Sequence, residues 1–140
     1  MMSSRLFHVL TFSTSLVSAT FLASVTAIAN PQDGQVVGGS ATITTPDAST
    51  LLIQQQTNSA IINWNSFNID AGELTEFQLP DSSGVTLNRV TGDQNPSIIQ
   101  GTLKSNGTVM VVNPDGILFG ENSVVDVGGL LATTSDIDDK

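Results

Sequence analysis

The chain is 140 residues long, carries a formal net charge of −9 from four basic and 13 acidic side chains, and contains no cysteine. That length suits one domain, and the missing thiols exclude disulfides and thiolate metal sites. So acidic a chain repels phosphate backbones and anionic lipid, which argues against nucleic acid as a partner.

The first predicted element is a leader. Arg5 precedes an apolar run, diluted by Ser and Thr, from Leu6 to Ile28, and Ala27-Ile28-Ala29 has the small-x-small form of a signal-peptidase site. The run is long enough to span a bilayer, but no basic stop-transfer cluster follows it. Residues 1–29 are therefore expected to be a secretory signal, removed before Asn30-Pro31, with no stable membrane insertion afterwards. The mature chain, residues 30–140, keeps all 13 acids and three basic residues (Arg89, Lys104 and Lys140), a net charge of −10. His8 leaves with the leader, so no His, Cys or Tyr remains. The commonest general base, the imidazole ligand and the thiol nucleophile are lost together. The domain is expected to be no enzyme and to hold neither cofactor nor metal.

From Asn30 on, the chain reads as short strands. Apolar runs occur at Ala41–Ile43, Leu51–Ile53, Ala60–Ile62, Leu74–Phe77, Val85–Leu87, Ile98–Leu103, Val109–Val112, Ile117–Phe119 and Val124–Leu131. Turn-forming residues separate them, as in Pro80-Asp81-Ser82-Ser83-Gly84. Apolar residues nowhere recur with helical spacing over three turns. The fold class is all-β. Ile99–Leu103 and Val127–Leu131 share an apolar-x-Gly-x-Leu form 28 residues apart. A strand, a bend at glycine and a second strand would give that form in a parallel β-helix. Spacing alone leaves a hairpin-built β-sandwich equally open.

Individual residues add detail in chain order. Trp64 is expected to pack in the core or cap, since an indole buries a large apolar area. Asp70, Glu73 and Glu76 crowd around an Ala71-Gly72 turn, with Glu76 on the face of Leu74 and Phe77 on the other. They read as solvated charge, not as the converging carboxylates of a polysaccharide hydrolase. Arg89 shares strand parity with Val85 and Leu87, which predicts an inward guanidinium that must be ion-paired. Asn106-Gly107 and Asn113-Pro114-Asp115-Gly116 are turns; in the second, proline presets φ and glycine accepts a positive one. Asn63, Asn65, Asn68, Asn88, Asn106, Asn113 and Asn122 fall at strand ends or bends, where amides satisfy backbone groups and can stack in ladders.

Several of these segments form known motifs. They are Ile61-Ile62-Asn63-Trp64-Asn65-Ser66-Phe67-Asn68-Ile69, Leu87-Asn88-Arg89-Val90-Thr91-Gly92, Pro96–Leu103, Asn106-Gly107, Val111–Gly120 and Gly128–Thr134. In that order, beginning at Asn30-Pro31, the chain resembles the amino-terminal two-partner secretion domain of filamentous-haemagglutinin-type exoproteins. Contact-dependent inhibition toxins and large haemolysins share this domain.

The resemblance implies a right-handed parallel β-helix with an amino-terminal β cap. It also implies a non-enzymatic module recognised by the periplasmic domains of a partner outer-membrane transporter. The exoprotein would cross through that barrel and fold at the cell surface. Asn113, Pro114, Asp115 and Gly116 become the candidate recognition or fold-defining turn. Asn63, Trp64, Phe67, Asn88, Arg89, Asn106 and Gly107 are the other motif residues. The family turn usually reads Asn-Pro-Asn-Gly; Asp115 replaces the second Asn, and either side chain is expected to cap a turn donor. Family domains continue through further coils, so residues 30–140 are expected to be the amino-terminal portion of one. The open end would then be able to pair with another copy. A reading from a different class is an adhesin fragment that binds carbohydrate or protein along the β-helix flank.

Overall fold

A computed structural model describes residue 15, residues 18–20 and residues 29–139. The rest of the expected leader, and Lys140, lie outside them. The described residues form strands and no helix: β1 (Gln35–Gly38), β2 (Ala41–Asp47), β3 (Thr50–Gln55), β4 (Ser59–Trp64), β5 (Leu74–Gln78), β6 (Val85–Val90), β7 (Ser97–Ile99), β8 (Thr102–Ser105), β9 (Thr108–Val112), β10 (Ile117–Phe119), β11 (Val124–Asp126) and β12 (Gly129–Thr133).

The chain visits three ladders in rotation. β3, β5, β8 and β11 stack in parallel, as do β4, β6, β9 and β12, while β7 and β10 form the third ladder, extended by a bridge from Ile69 to Ile99. β2 pairs antiparallel with β3, and β1 antiparallel with β4, closing the amino-terminal end. This is a parallel β-solenoid with an antiparallel cap. The sandwich reading is excluded.

Register explains the core. Because strand side chains alternate, every second residue points inward and stacks on its counterparts above and below. One inward column is Leu51, Thr75, Leu103 and Val125. Another runs Ile62, Asn88, Val111 and Ala132. A third is Ile69, Ile99 and Phe119. Trp64, Phe67, Phe77 and Leu103 are among the buried hydrophobic residues. At the bend between β7 and β8 the coils touch backbone to backbone: a Cβ on Gly101 would stand 2.2 Å from the Asp70 carbonyl oxygen. Only glycine fits there.

The spacing of the sequence hides two features of the coil. The segments at Ile99–Leu103 and Val127–Leu131 are not stacked equivalents, because Leu103 pairs with Val125 whereas Leu131 pairs with Met110. Gly101 and Gly128 turn different corners of the coil, so the 28-residue offset is not its repeat. The cap strand β1 has no apolar run to announce it; it is a mostly exposed edge with a register shift between Val36 and Gly38.

Candidate functional site

The Asn113–Gly116 segment leaves β9 and enters β10 as a β-turn, the Gly116 N–H donating to the Asn113 carbonyl at 3.0 Å. Its first residue carries the organisation. Asn113 is 1% exposed, and its Oδ1 accepts the Asp115 N–H at 2.9 Å. Its Nδ2 donates to the Asn95 carbonyl and the Ser97 hydroxyl, each at 3.0 Å, in the preceding coil. Its own N–H donates to the Thr133 carbonyl in the following coil at 3.1 Å. One residue, through its side-chain amide and its backbone N–H, thus fastens three coils. Gly116 has φ near 109°, a conformation that disfavours any residue with a Cβ. The capping oxygen belongs to Asn113 and not, as expected, to Asp115, which is exposed.

The other motif residues fall into three groups. Trp64 is buried and donates its indole N–H to Asn88 Oδ1 at 2.9 Å. Phe67 packs edge-on against it, ring centroids 5.9 Å apart. Asn88 is fully buried, and its Nδ2 donates to the Met110 carbonyl at 3.2 Å. The interior of β6 is therefore Thr86, Asn88 and Val90. Arg89 keeps the parity of Val85 and Leu87, but that face is the outer one. The expected inward guanidinium is thereby corrected: the polar residue inside is Asn88, which the tryptophan N–H satisfies.

Arg89 is nevertheless ion-paired. Its Nε donates to Asp136 Oδ1 at 2.7 Å, and its Nη2 donates to Asp139 Oδ1 and the Ile137 carbonyl. The hydrogen bond Arg89 donates to Asp139 raises the Arg89 pKa above its ordinary value, against the opposing effect of desolvation. The same bond holds the Asp139 carboxyl below the usual carboxylate value. Asn63 lies beside Arg89 in register, and its buried Oδ1 has no hydrogen-bond partner.

Asn106 and Gly107 belong to a different corner. Asn106 accepts the Leu79 N–H at 2.8 Å and donates to the Leu79 carbonyl at 2.9 Å, tying two coils. The expected asparagine ladders do not form in the described strands: Asn88 is flanked in register by Ile62 and Val111, and Asn63 by Gln35 and Arg89. Asn63, Asn88, Arg89 and Asn113 lie at the carboxyl-terminal ends of β4, β6 and β9, Asn88 facing inward and Arg89 outward, since Val112, the residue before the turn, pairs with Arg89.

Sequence reasoning missed Asn30. It is buried, donating from Nδ2 to the Ser49 carbonyl at 3.1 Å and accepting from the buried Thr75 hydroxyl at 3.0 Å. Its adjacency to Pro31 suggested only a turn. The acids behave as turn caps. Asp81 Oδ1 accepts from the Ser83 hydroxyl and N–H, and those bonds lower its pKa. Asp47 is lowered similarly, chiefly by the Ser49 N–H. Glu73 caps the Asp70 N–H at 3.0 Å. Glu76 sits on the half-buried outer face, 3.8 Å from Lys104. Among the described residues no group of three or more His, Cys, Asp or Glu could hold a metal ion.

With this geometry in hand, comparison is decisive. The family model of the TPS secretion domain matches residues 27–140. The chain belongs to the TPS secretion domain family. The crystal structure of the HMW1 secretion domain from Haemophilus influenzae has a TM-score of 0.73 with this TPS domain at 36% identity, covering 79% of this chain and 29% of that one. Two heme/hemopexin-binding proteins of Haemophilus influenzae are 41% and 39% identical to it over 108 residues. The TPS chain matches only 12% of the length of each of those relatives.

Proposed function

We propose that this chain is the non-enzymatic recognition module of a two-partner secretion exoprotein of the filamentous-haemagglutinin kind. A leader over residues 1–29 takes it through the inner membrane. The periplasmic domains of a partner outer-membrane transporter then bind it, and it folds at the cell surface. The observation that carries this reading is the family match over residues 27–140, joined to a solenoid whose corners use the motif residues. We assign Asn113–Gly116 a fold-defining role, because Asn113 is buried and bonded to neighbouring coils.

The test is a pull-down with the transporter's periplasmic domains alongside far-UV circular dichroism. Gly116→Val is expected to cost about 1–3 kcal/mol through its backbone conformation, since no atom lies nearer than 4.0 Å to a Cβ there. Asn113→Ala should do similar damage by stranding buried partners, whereas Asp115→Asn should be silent. Loss of binding should follow loss of structure. Asp115→Lys, on the exposed tip of the turn, should fold and bind; a folded Asp115→Lys that no longer binds would place the contact on the turn itself.

The haem or hemopexin binding in the relatives' names we assign to the rest of their length. Residues 30–140 contain no His, Cys or Tyr, which are common axial ligands of haem iron, and Met110 is half-buried on the outer face. Haem titrated into residues 30–140 should keep the absorption spectrum of free haem. A saturable shift of the Soret band would reverse this assignment.

A further inference from the structure

Asn106-Gly107 is the one Asn-Gly pair of the chain, and the coil corner after β8 demands both residues for separate reasons. The Asn106 carboxamide grips both backbone groups of Leu79 in the preceding coil, accepting the N–H at 2.8 Å and donating to the carbonyl at 2.9 Å. An aspartate there could accept but not donate. Gly107 is buried between glycines of the neighbouring coils. The Thr108 N–H donates to the Gly84 carbonyl and the Gly128 N–H to the Gly107 carbonyl, each at 2.9 Å. A Cβ on Gly107 would stand 2.6 Å from that Gly84 oxygen. Glycine is thus obligatory where it follows the tethering asparagine.

The pair carries a chemistry of its own. Asparagine is thermally labile, most of all before glycine, whose missing side chain leaves its amide nitrogen open to the carboxamide. In the reaction the Gly107 nitrogen gives up its proton and bonds to Asn106 Cγ; the Cγ–Nδ2 bond breaks and ammonia carries that proton away. Water then opens either carbonyl of the five-membered imide, leaving aspartate or isoaspartate. In the closed coil this path is obstructed on both partners. Leu79 holds the carboxamide by its oxygen and its nitrogen, and the Gly107 N–H donates to the hydroxyl of buried Ser105 at 3.1 Å. Attack needs the coil to open and all three bonds to be released.

We infer that Asn106-Gly107 is a self-modification site that the fold holds silent and that unfolding switches on. Either product disables the corner. Aspartate turns a carboxylate oxygen toward the Leu79 carbonyl in place of a donor. Isoaspartate adds a backbone methylene between β8 and β9, whose registers on β5 and β6 it disturbs. The time this chain can spend unfolded is therefore limited by its own sequence, because chemically altered chains leave the folding equilibrium.

The experiment holds the full chain at mildly alkaline pH, one portion in buffer and one in urea sufficient to abolish its β spectrum. Fragmentation mass spectrometry of digests follows deamidation at residue 106, and methyl transfer by an isoaspartyl methyltransferase reads isoaspartate independently. In urea the conversion should match that of a synthetic peptide, Lys-Ser-Asn-Gly-Thr, copying residues 104–108. In buffer it should be at least about tenfold slower, limited by the population of open coil. On removal of urea, chains with isoaspartate at 106 should be depleted from the refolded fraction. Asn106→Asp, the milder product, should fold but unfold at a lower urea midpoint than the parent. Equal rates in buffer and urea would overturn the inference, as would undiminished refolding of isoaspartate-bearing chains. Should no chain refold from urea, the rates decide the protection and the Asn106→Asp midpoint decides the damage: an unchanged midpoint refutes it, and a lowered one supports it.

Discussion

At the amino-terminal end of the solenoid, β1 and β2 run antiparallel along the edges of the first coil, and Ile53, Ile62 and Trp64 are buried there. In the last described coil the same inward columns continue in register, yet Phe119 and Leu130 are each 41% exposed. Val125, directly on Leu103, is 38% exposed while Leu103 is 0%. Side-chain parity is equally good at both ends. What differs is the layer on the far side. In a solenoid the pleat fixes which way a residue points, and the neighbouring coil supplies the contacts that make pointing inward worthwhile.

The largest expected effect separates the middle coils from the last. Leu103→Ala removes a fully buried side chain and should cost about 2–5 kcal/mol. Leu130→Ala removes an inward but half-covered one and should cost about 1 kcal/mol or less. Urea unfolding of both variants measures the difference, and equal losses would mean that the last coil is packed as tightly as the middle.

A smaller effect concerns what the uncovered coil does in solution. Residues 30–140 are expected to form oligomers as concentration rises, because exposed strand edges and apolar columns pair with other chains even at a net charge of −10. Val125→Lys together with Leu130→Lys should lower that association severalfold in sedimentation velocity. A parent protein that stays monomeric at every concentration would break the comparison between the ends.

The smallest effect is electrostatic. Asp139 titrates below its ordinary value of 3.8 because Arg89 hydrogen-bonds its charged form. A lowered folded pKa means that the contact contributes above the unfolded value and is lost as pH falls through the folded one. The link to Arg89 should therefore be constant through neutral pH and release only under acid conditions below about 4. An NMR titration of the Asp139 carboxyl would check it, and Arg89→Gln should return that titration to the ordinary value.

Much of the architecture is legible in the sequence because the strand period is short and glycine and asparagine punctuate it. The face assignment of β6 is not. Val85, Leu87 and Arg89 look like an inward set because two of them are apolar, whereas the set facing the core is Thr86, Asn88 and Val90, and Leu87 is buried on the outer face. Asn88 is satisfied inside because Trp64, 24 residues earlier, donates its N–H to the amide oxygen while the Met110 carbonyl accepts from the amide nitrogen. A two-residue period defines two faces without saying which one meets the core. The partners of Arg89 were equally hidden, lying 47 to 50 residues away in an acidic stretch that reads as solvated charge. The Asn113 turn was readable as a turn, but its cross-coil bonds depend on which coil lies above and below.

Asn30 gives the domain an order of assembly. Its amide nitrogen is satisfied by the Ser49 carbonyl, but its oxygen depends on the Thr75 hydroxyl, 45 residues away. The amino-terminal seal cannot set until β3 and β5 have met, and that meeting requires the intervening chain to close a long loop before any column between them is filled. Parallel pairings of this range make folding slow compared with a helical domain of similar length. Asn30 is thus fastened only after strands far along the chain have paired.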